Sequence, residues 1–173
     1  MANLLGKNIN LRALEPKDLD FLFATENNEE FWEISSTQLP FSKYTLQQYI
    51  KNAHQDIYEA KQYRFVICNT EDIPVGMIDL FDFNPQHKRV GIGVLVLPEH
   101  QNKGYASESL ELVIAYAISY LDVHQIYANI ISDNLKSISL FKKNNFKQVG
   151  VKKDWLYSNA MFKDEILYQL ITS

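Results

Sequence analysis

The pattern of apolar and polar positions predicts a chain in which strands and helices alternate. Seven short runs rich in β-branched and aromatic residues are predicted to be strands, at 9–14, 63–68, 75–83, 90–97, 125–131, 146–151 and 162–171. The run 90–97 is apolar at almost every position, which predicts a strand buried on both faces in the middle of a sheet. Its Gly91 and Gly93 indicate a bulge or the close approach of another backbone or a ligand.

Helices are predicted between these strands. From residue 15 to about residue 58 we expect helices with a break at 39–42, because Pro40 disfavours helix in the residue before it. Residues 105–121 place apolar side chains three and four positions apart, as in an amphipathic helix, and another helix is predicted at about 134–144. The expected fold class is α/β (α+β), with helices packed on a mixed sheet in a single domain spanning residues 1–173.

Length and composition exclude several classes of protein. With 173 residues, 46% of them hydrophobic, the chain is long enough to bury a core and too apolar to be disordered. A net charge of −4 argues against nucleic-acid binding through bulk positive charge. The sequence shows no membrane-spanning run and no secretory signal core, and its one cysteine, Cys68, fits a reducing compartment. We therefore expect a cytoplasmic protein with no nucleic-acid or membrane partner.

Acidic and basic residues are unevenly distributed along the chain. The stretch from Glu15 to Glu33 contains one base, Lys17, whereas the stretch from Leu135 to Lys153 contains no acid. One stretch therefore suits a cationic ligand and the other an anionic ligand, with two solvated faces as the simpler alternative. The acids are Glu15, Asp18, Asp20, Glu26, Glu29, Glu30 and Glu33, and the bases are Lys136, Lys142, Lys143, Lys147, Lys152 and Lys153.

The loop between the buried strand and the long helix predicts an anion site. It runs from 97 to 106 and contains Gly104 just before the helix, where unpaired N–H groups and the positive end of the helix dipole favour a phosphate. The loop lacks both the G-x-G-x-x-G of dinucleotide-binding folds and the G-K-[ST] ending of the Walker loop. Neither NAD nor ATP is therefore indicated, and a plain tight turn is the alternative.

Two segments carry a resemblance to a known family. Residues 101–106 resemble the Q/R-x-x-G-x-G/A signature of the GNAT superfamily of acyl-CoA-dependent N-acetyltransferases, and residues 134–146 resemble its N-x-x-S-x-x-L-Y-x-x-x-G-F segment. The opening 9–15, with Asp18 and Leu19, is similar to the branch that contains ribosomal-protein and spermidine N-acetyltransferases. The resemblance implies a mixed, mostly antiparallel sheet of about seven strands, with helices on both faces and splayed fourth and fifth strands.

The resemblance also assigns residues to acetyl-CoA, the implied co-substrate, and implies no metal. The pantetheine arm is expected between the splayed strands, bonded to main-chain groups and to the side chain of Asn134. The loop is expected to hold the pyrophosphate, and Lys142 or Lys143 the phosphates of the nucleotide end. The residues assigned in this way are Leu95, Val96, Leu97, Gln101, Asn102, Lys103, Gly104, Tyr105, Ala106, Asn134, Lys142 and Lys143.

The implied reaction is direct attack of a primary amine on the thioester, through a tetrahedral oxyanion. An amine of pKa about 10 must first lose a proton to a carboxylate or a water chain. Glu33, Asp79 and Asp82 are the acids considered, the last two because alternate strand residues share a face. The acceptor stays open between a polyamine, an amino acid and a protein N-terminus, and so does homo-oligomerisation. Aromatic residues that would line an acceptor pocket, or simply pack in the core, are Phe31, Trp32, Phe41 and Tyr44.

One position departs from the family pattern. Where the family commonly has a tyrosine that protonates the departing thiolate, this chain has Phe141, and Asn145 replaces the usual glycine before Phe146. Either another hydroxyl takes the role, or the thiolate leaves unaided, because an ordinary thiol has a pKa of about 8.5. The alternative function is a non-catalytic acyl-CoA-binding or sensing module on the same fold. The hydroxyl candidates are Tyr105, Ser139 and Tyr157.

Overall fold

The structure, a computed structural model, describes residues 4–173, which build one seven-stranded sheet. The strands are β1 (Ile9–Ala13), β2 (Tyr63–Asn69), β3 (Pro74–Asn84), β4 (Arg89–Val96), β5 (Gln125–Ile131), β6 (Lys147–Ser158) and β7 (Met161–Ile171). Their order across the sheet is β1-β2-β3-β4-β5-β7-β6. The pairing of β4 with β5 is parallel, and the other neighbouring pairs are antiparallel. The predicted mixed, mostly antiparallel sheet is therefore confirmed.

In the described part of the chain, four helices lie between β1 and β2 and two more lie between later strands. The predicted break at 39–42 is observed, and the next helix starts where Ser42 accepts a hydrogen bond from the Thr45 N–H at 3.0 Å. Single 3-10 turns lie at Pro16–Asp18, Glu29–Phe31 and Pro98–His100. The helices are α1 (Leu19–Glu26), α2 (Trp32–Ser35), α3 (Lys43–Asn52), α4 (Ile57–Ala60), α5 (Tyr105–Tyr120) and α6 (Leu135–Lys143).

Helices cover both faces of the sheet because consecutive strand residues point to opposite sides. Ile78 of β3 packs in the larger core with Leu110 and Val113 of α5, all fully buried. Met77, its neighbour in β3, packs on the other face in a smaller cluster with Leu22 of α1 and Leu46 of α3. The expectation of helices on both faces is confirmed, and α1 and α3 form a layer of their own.

β4 and β5 separate partway along their length. Their paired register joins Arg89–Gly91 to Gln125–Tyr127, and residues 92–96 of β4 then diverge from β5. β5 stays paired with β7 along its whole length, so the divergence opens a cleft on one side of β4. The predicted splaying of the fourth and fifth strands is confirmed.

The two glycines of β4 differ in the space around their Cα atoms. A Cβ atom on Gly91 would lie 2.3 Å from Cε2 of Phe81, so the ring of Phe81 occupies the space of the missing side chain. A Cβ atom on Gly93 would meet its nearest neighbour, the same ring, only at 3.9 Å. Gly91 therefore makes room for a side chain, rather than for the bulge, backbone or ligand that the sequence suggested, whereas Gly93 has open space beside it.

The last hairpin is longer than the sequence indicated. The predicted strand 146–151 extends as β6 to Ser158, with irregular register between Gln148 and Gly150 and between Lys152 and Leu156. These bulges and the charged residues around Lys152 interrupt the alternation on which the sequence prediction relied. Within residues 4–173, no helix is long and apolar enough to cross a membrane.

Candidate active site

A cavity of about 640 Å³ lies where the open side of β4 meets the starts of α5 and α6. We call it the donor-side cavity, because residues assigned to acetyl-CoA line it. Those on its wall are Leu95, Val96, Gln101, Asn102, Gly104, Tyr105, Ala106 and Asn134. The other assigned residues, which are not on its wall, are Leu97, Lys103, Lys142 and Lys143.

The start of α5 forms one end of this cavity. Gly104 precedes the helix at φ 81°, a left-handed conformation that glycine adopts without strain. The first intrahelical bond runs from the Glu108 N–H to the Gly104 carbonyl, so the N–H groups of 105–107 lie ahead of the helical ladder. The Ser107 hydroxyl is buried on the same wall without a hydrogen-bond partner. These donors suit an anion, and Ser107 is one that the sequence reasoning missed.

The main chain of β4 faces the cleft at alternate residues. The Leu97 N–H donates to the Val75 carbonyl of the neighbouring β3 at 2.9 Å, so odd-numbered residues of this strand turn their polar groups towards β3. Val94 and Val96 turn theirs towards the cleft, where the Val96 carbonyl accepts a bond from Gln101 Nε2 at 3.0 Å. The N–H of Leu97 is therefore already used in the sheet, and by the same alternation the main chain of Leu95 is directed at β3. Of the three strand residues assigned to the pantetheine arm, Val96 is the one whose main chain faces the cleft, and the assignment itself stays a prediction.

The start of α6 supplies the facing wall. Asn134 caps this helix by accepting a bond from the Ser137 N–H at 3.2 Å, which leaves its side-chain NH₂ as a donor. Lys136, named in the sequence only as part of the basic stretch, lines the cavity 3.5 Å from Gln101 Oε1. Lys142 and Lys143 lie exposed in the last turn of α6. The structure therefore brings Lys136, rather than those two lysines, onto the cavity wall.

A second cavity of about 550 Å³ lies on the α1 and α3 side of the sheet. It shares Phe31, Ile34, Val94 and Leu95 with the donor-side cavity, so the two spaces meet at β4. We call it the acceptor-side cavity, because residues considered above for the amine acceptor line it. Phe31 and Phe41, considered from the sequence, line it, whereas Trp32 and Tyr44 do not.

Three charged side chains on the wall of the acceptor-side cavity form one network. Arg64 donates to both carboxylate oxygens of Asp79 at 2.7 Å and also bonds to Glu26. Burial opposes the charge of Arg64, but Asp79 outweighs it and the pKa of Arg64 is raised. The Tyr49 ring lies 5.6 Å from the guanidinium, and burial raises the pKa of Tyr49. Asp79 is therefore held in a bidentate ion pair with Arg64. Glu26, which the sequence analysis named only as part of the acidic stretch, also lies on the wall of this cavity.

The other two acids considered as bases lie elsewhere. Asp82 accepts a bond from the Tyr127 hydroxyl at 3.2 Å in a separate cavity, where burial first and then Asp82 raise the pKa of Tyr127 to about 12. The expectation that Asp79 and Asp82 share a face is wrong, because they are an odd number of residues apart and Asp82, at φ 47°, lies in an irregular stretch of β3. Glu33 contacts Lys163 Nζ at 2.6 Å.

Phe141 lies at the bottom of the cleft between β4 and β5. Its ring is buried, packs edge to face on Phe146 at 5.0 Å, and borders a small cavity of about 70 Å³. Asn145 adopts φ 68°, which explains how an asparagine replaces the usual glycine there. Of the hydroxyls considered, Tyr105 and Ser139 line the donor-side cavity. Tyr157 is 68% exposed near the end of the β6–β7 hairpin and lines neither cavity.

The chain belongs to the GNAT acetyltransferase family: a family model described as "Acetyltransferase (GNAT) domain" matches residues 8–147. Its fold and its cleft between splayed strands agree with this, and the protein is a GNAT-type N-acetyltransferase. The non-catalytic alternative raised by Phe141 is not favoured. Among residues 4–173 no group of three or more His, Cys, Asp or Glu side chains is arranged to hold a metal.

Individual relatives extend the comparison over nearly the whole chain. Spermidine N(1)-acetyltransferase from Vibrio cholerae is 25% identical over 160 residues, covering 92% of this chain and 91% of that protein. The enzyme of the same name from Escherichia coli K12 is 25% identical and covers 91% and 83%. A Vibrio cholerae spermidine N-acetyltransferase solved with CoA and spermine superposes with a TM-score of 0.87, at 23% identity and 96% coverage of both chains.

Proposed function

We propose that acetyl-CoA binds in the donor-side cavity and that its acetyl group passes to a primary amine bound in the acceptor-side cavity. The observation that carries this proposal is that the two cavities meet at Val94 and Leu95 of β4. A thioester lying along β4 would therefore be open to an amine from the other side. A single bound state in which both reactants touch is what direct transfer requires.

The donor-side residues fit acetyl-CoA. The pyrophosphate would lie against the N–H groups of 105–107 and the unpartnered hydroxyl of Ser107, with the charge of Lys136 nearby. The pantetheine arm carries amides, which match the cleft-facing main chain of Val94 and Val96 and the free NH₂ of Asn134. The apolar side chains on this wall complete a channel for the arm.

The chain's own groups account for the steps of the transfer. The amine nitrogen attacks the thioester carbon, and the Val94 N–H, which faces the cleft, stabilises the oxyanion. A water held by the Arg64 network, or Glu26 itself, takes the proton from the ammonium. The coenzyme A thiolate then leaves as the tetrahedral intermediate collapses, without help from Phe141, and Tyr105 and Ser139 are hydroxyls on the same cavity wall that could give it a proton.

An assay of amine-dependent thiol release tests this proposal. The protein is mixed with acetyl-CoA and, separately, with spermidine, simple alkylamines, arylalkylamines, amino acids and peptides beginning with Ala or Ser, and products are identified by mass spectrometry. We expect thiol release that needs an amine and matches the acetylated product. Binding of acetyl-CoA by calorimetry with no acetylation of any amine would contradict the proposal.

Three further properties are proposed with this function. We infer that residues 1–173 act as one acetyltransferase domain, since the described strands form one sheet. We infer self-association, because a Vibrio cholerae spermidine N-acetyltransferase with a TM-score of 0.81 and 25% identity has been solved as a dodecamer. A cytoplasmic location fits the reduced Cys68 and a coenzyme A substrate. Light scattering of the purified chain would check the second property.

A further inference from the structure

We infer, on the basis of the function proposed above, that the acceptor site selects an amine with one positive charge and an apolar body over a polyamine. The relatives named above as spermidine acetyltransferases would suggest the opposite preference. The inference is drawn from the charges and the surface of the acceptor-side cavity.

The charges of this cavity are few and already paired with one another. Its described wall carries two acids, Glu26 and Asp79, and one base, Arg64, which leaves a net charge of −1. Arg64 bonds to both acids and is itself 17% exposed in its side chain, so the pairs are partly shielded from water. One ammonium group balances this net charge, whereas a second or third would find no uncompensated negative charge left on this wall.

The acid close to the residues that both cavities share is also paired with a base. Glu33 lies two residues after Phe31, which borders both cavities, and its carboxylate contacts Lys163 Nζ at 2.6 Å. Lys163 contacts Asp133 as well, at 2.7 Å. A polyamine extending past the junction would therefore have to compete with Lys163 for this carboxylate.

Most of the remaining wall is apolar and suits a hydrocarbon body, although it also carries uncharged polar side chains such as Thr25, Thr45 and Gln62. Its side chains come from the α1–α3 layer and from the strands beneath it, and they include Phe31, Phe41, Leu46, Met77 and Phe81. Gly93 lies at the edge of this cavity with open space where a side chain would be. Burial of apolar area here favours binding in proportion to the area buried. An aliphatic or aromatic body gains this term, whereas a chain interrupted by charged amines loses it.

The test compares two acceptors that differ by one amino group, and therefore by one positive charge at neutral pH. Pentylamine and cadaverine have the same carbon chain, and cadaverine carries a second amine. At saturating acetyl-CoA we expect kcat/KM to be at least about tenfold higher for pentylamine, and phenylethylamine to be preferred over spermidine by a similar factor. An equal or higher kcat/KM for cadaverine or spermidine would overturn the inference and leave acetyl transfer intact. No turnover with any amine would overturn the proposed function as well.

Two variants test the role of the charge network. Arg64→Met releases Glu26 and Asp79, so we expect the preference to shift at least about threefold towards cadaverine. Glu26→Gln keeps the Arg64–Asp79 pair but leaves the network neutral, so the KM for pentylamine should rise about tenfold while the KM for acetyl-CoA stays constant. If Arg64→Met does not fold, Glu26→Gln alone tests whether the charge network binds the ammonium group. Asp20→Asn is the control, because Asp20 is exposed and pairs with Lys43 on the surface. An unchanged preference in both variants would contradict the inference.

Discussion

The donor-side and acceptor-side cavities meet at β4 but are built in opposite ways. The donor-side wall comes from two continuous stretches, 94–107 and 134–140, with Phe31 and Ile34 added from the other side. Its polar groups are main-chain atoms of β4, N–H groups at the start of α5 and side chains of these same stretches, such as Ser107 and Asn134. The acceptor-side wall is built from side chains far apart in sequence, such as Glu26 and Arg64, which meet across 38 positions.

Because of this difference, the two cavities differ in how closely their polar groups define the ligand that each would bind. On the donor side, buried polar atoms such as Ser107 Oγ and His100 Nδ1 lack a protein partner, so a ligand has hydrogen bonds to satisfy. On the acceptor side, the charged groups are bonded to one another. We conclude that the donor cavity is prepared for one polar ligand, whereas the acceptor cavity selects mainly by shape and total charge.

The largest effect is expected where the acceptor-side layer is anchored to the sheet. Arg12 bonds to both oxygens of Asp18, at 2.8 and 2.9 Å, and the Asp18 side chain is 2% exposed. Arg12→Met should lower the free energy of unfolding by about 3 kcal/mol, because it leaves a buried charge unpaired. The KM for the amine should rise and the KM for acetyl-CoA should not. Chemical denaturation and initial rates measure both, with Asp20→Asn as an exposed control that costs less than about 1 kcal/mol.

The same pair gives a pH dependence with a definite sign. Burial alone would raise the pKa of Asp18, but its bonds to Arg12 and to the Glu15 N–H outweigh burial and lower it. The pair therefore contributes full stability above the ordinary pKa of 3.8 and loses it as the pH falls through the lower folded value. Arg12→Met should reduce this loss between pH 5 and 2. A steeper acid dependence in the variant would contradict the assignment.

The next effect tests whether the donor side depends on backbone geometry. Gly104→Val places a β-branched side chain at φ 81° and should raise the KM for acetyl-CoA about 30-fold. Gly104→Asn is the matched control, because asparagine tolerates the left-handed region, and it should change this KM less than about threefold. Similar losses in both variants would show that side-chain volume rather than backbone strain is responsible.

A smaller effect is expected at Phe141, at the bottom of the cleft between β4 and β5. Phe141→Tyr places a hydroxyl in the small cavity between β4 and β5 and should raise kcat about tenfold, below the usual range for a general acid because the thiolate already leaves readily. The gain should fade at a pH above about 10, where the phenol ionises. Phe141→Leu, which keeps the site apolar, should show no gain. An unchanged kcat in the tyrosine variant would assign the proton to another group.

The smallest effect separates the lysines of α6. Lys136→Gln should raise the KM for acetyl-CoA about threefold at low salt, because Lys136 lines the donor-side cavity. The paired change of Lys142 and Lys143 to Gln should have a weaker effect, since both lie exposed at the far end of the helix. Higher salt should reduce each difference. A larger effect of the paired change would restore the assignment made from the sequence.

Much of the fold was predictable because its signals are local. The apolar run of β4, the spacing along α5 and the break before α3 each depend on residues within one element. β6 was predicted too short, because bulges and charged residues such as Lys152 interrupt its alternation. Asp82 was wrongly expected to share a face with Asp79, because the two are three residues apart and Asp82 lies in an irregular stretch of β3.

The sequence by itself predicted most of the assigned residues that line the donor-side cavity, because a strand end, a glycine at the helix start and an asparagine cap lie in short segments with fixed spacing. Only the tertiary structure decided the acceptor site. The partners of Glu26, Glu33 and Asp79 are set by how α1 and α2 lie on the sheet and where the last hairpin passes. The charge available to an amine depends on these long-range pairs, and spacing along the chain does not encode them.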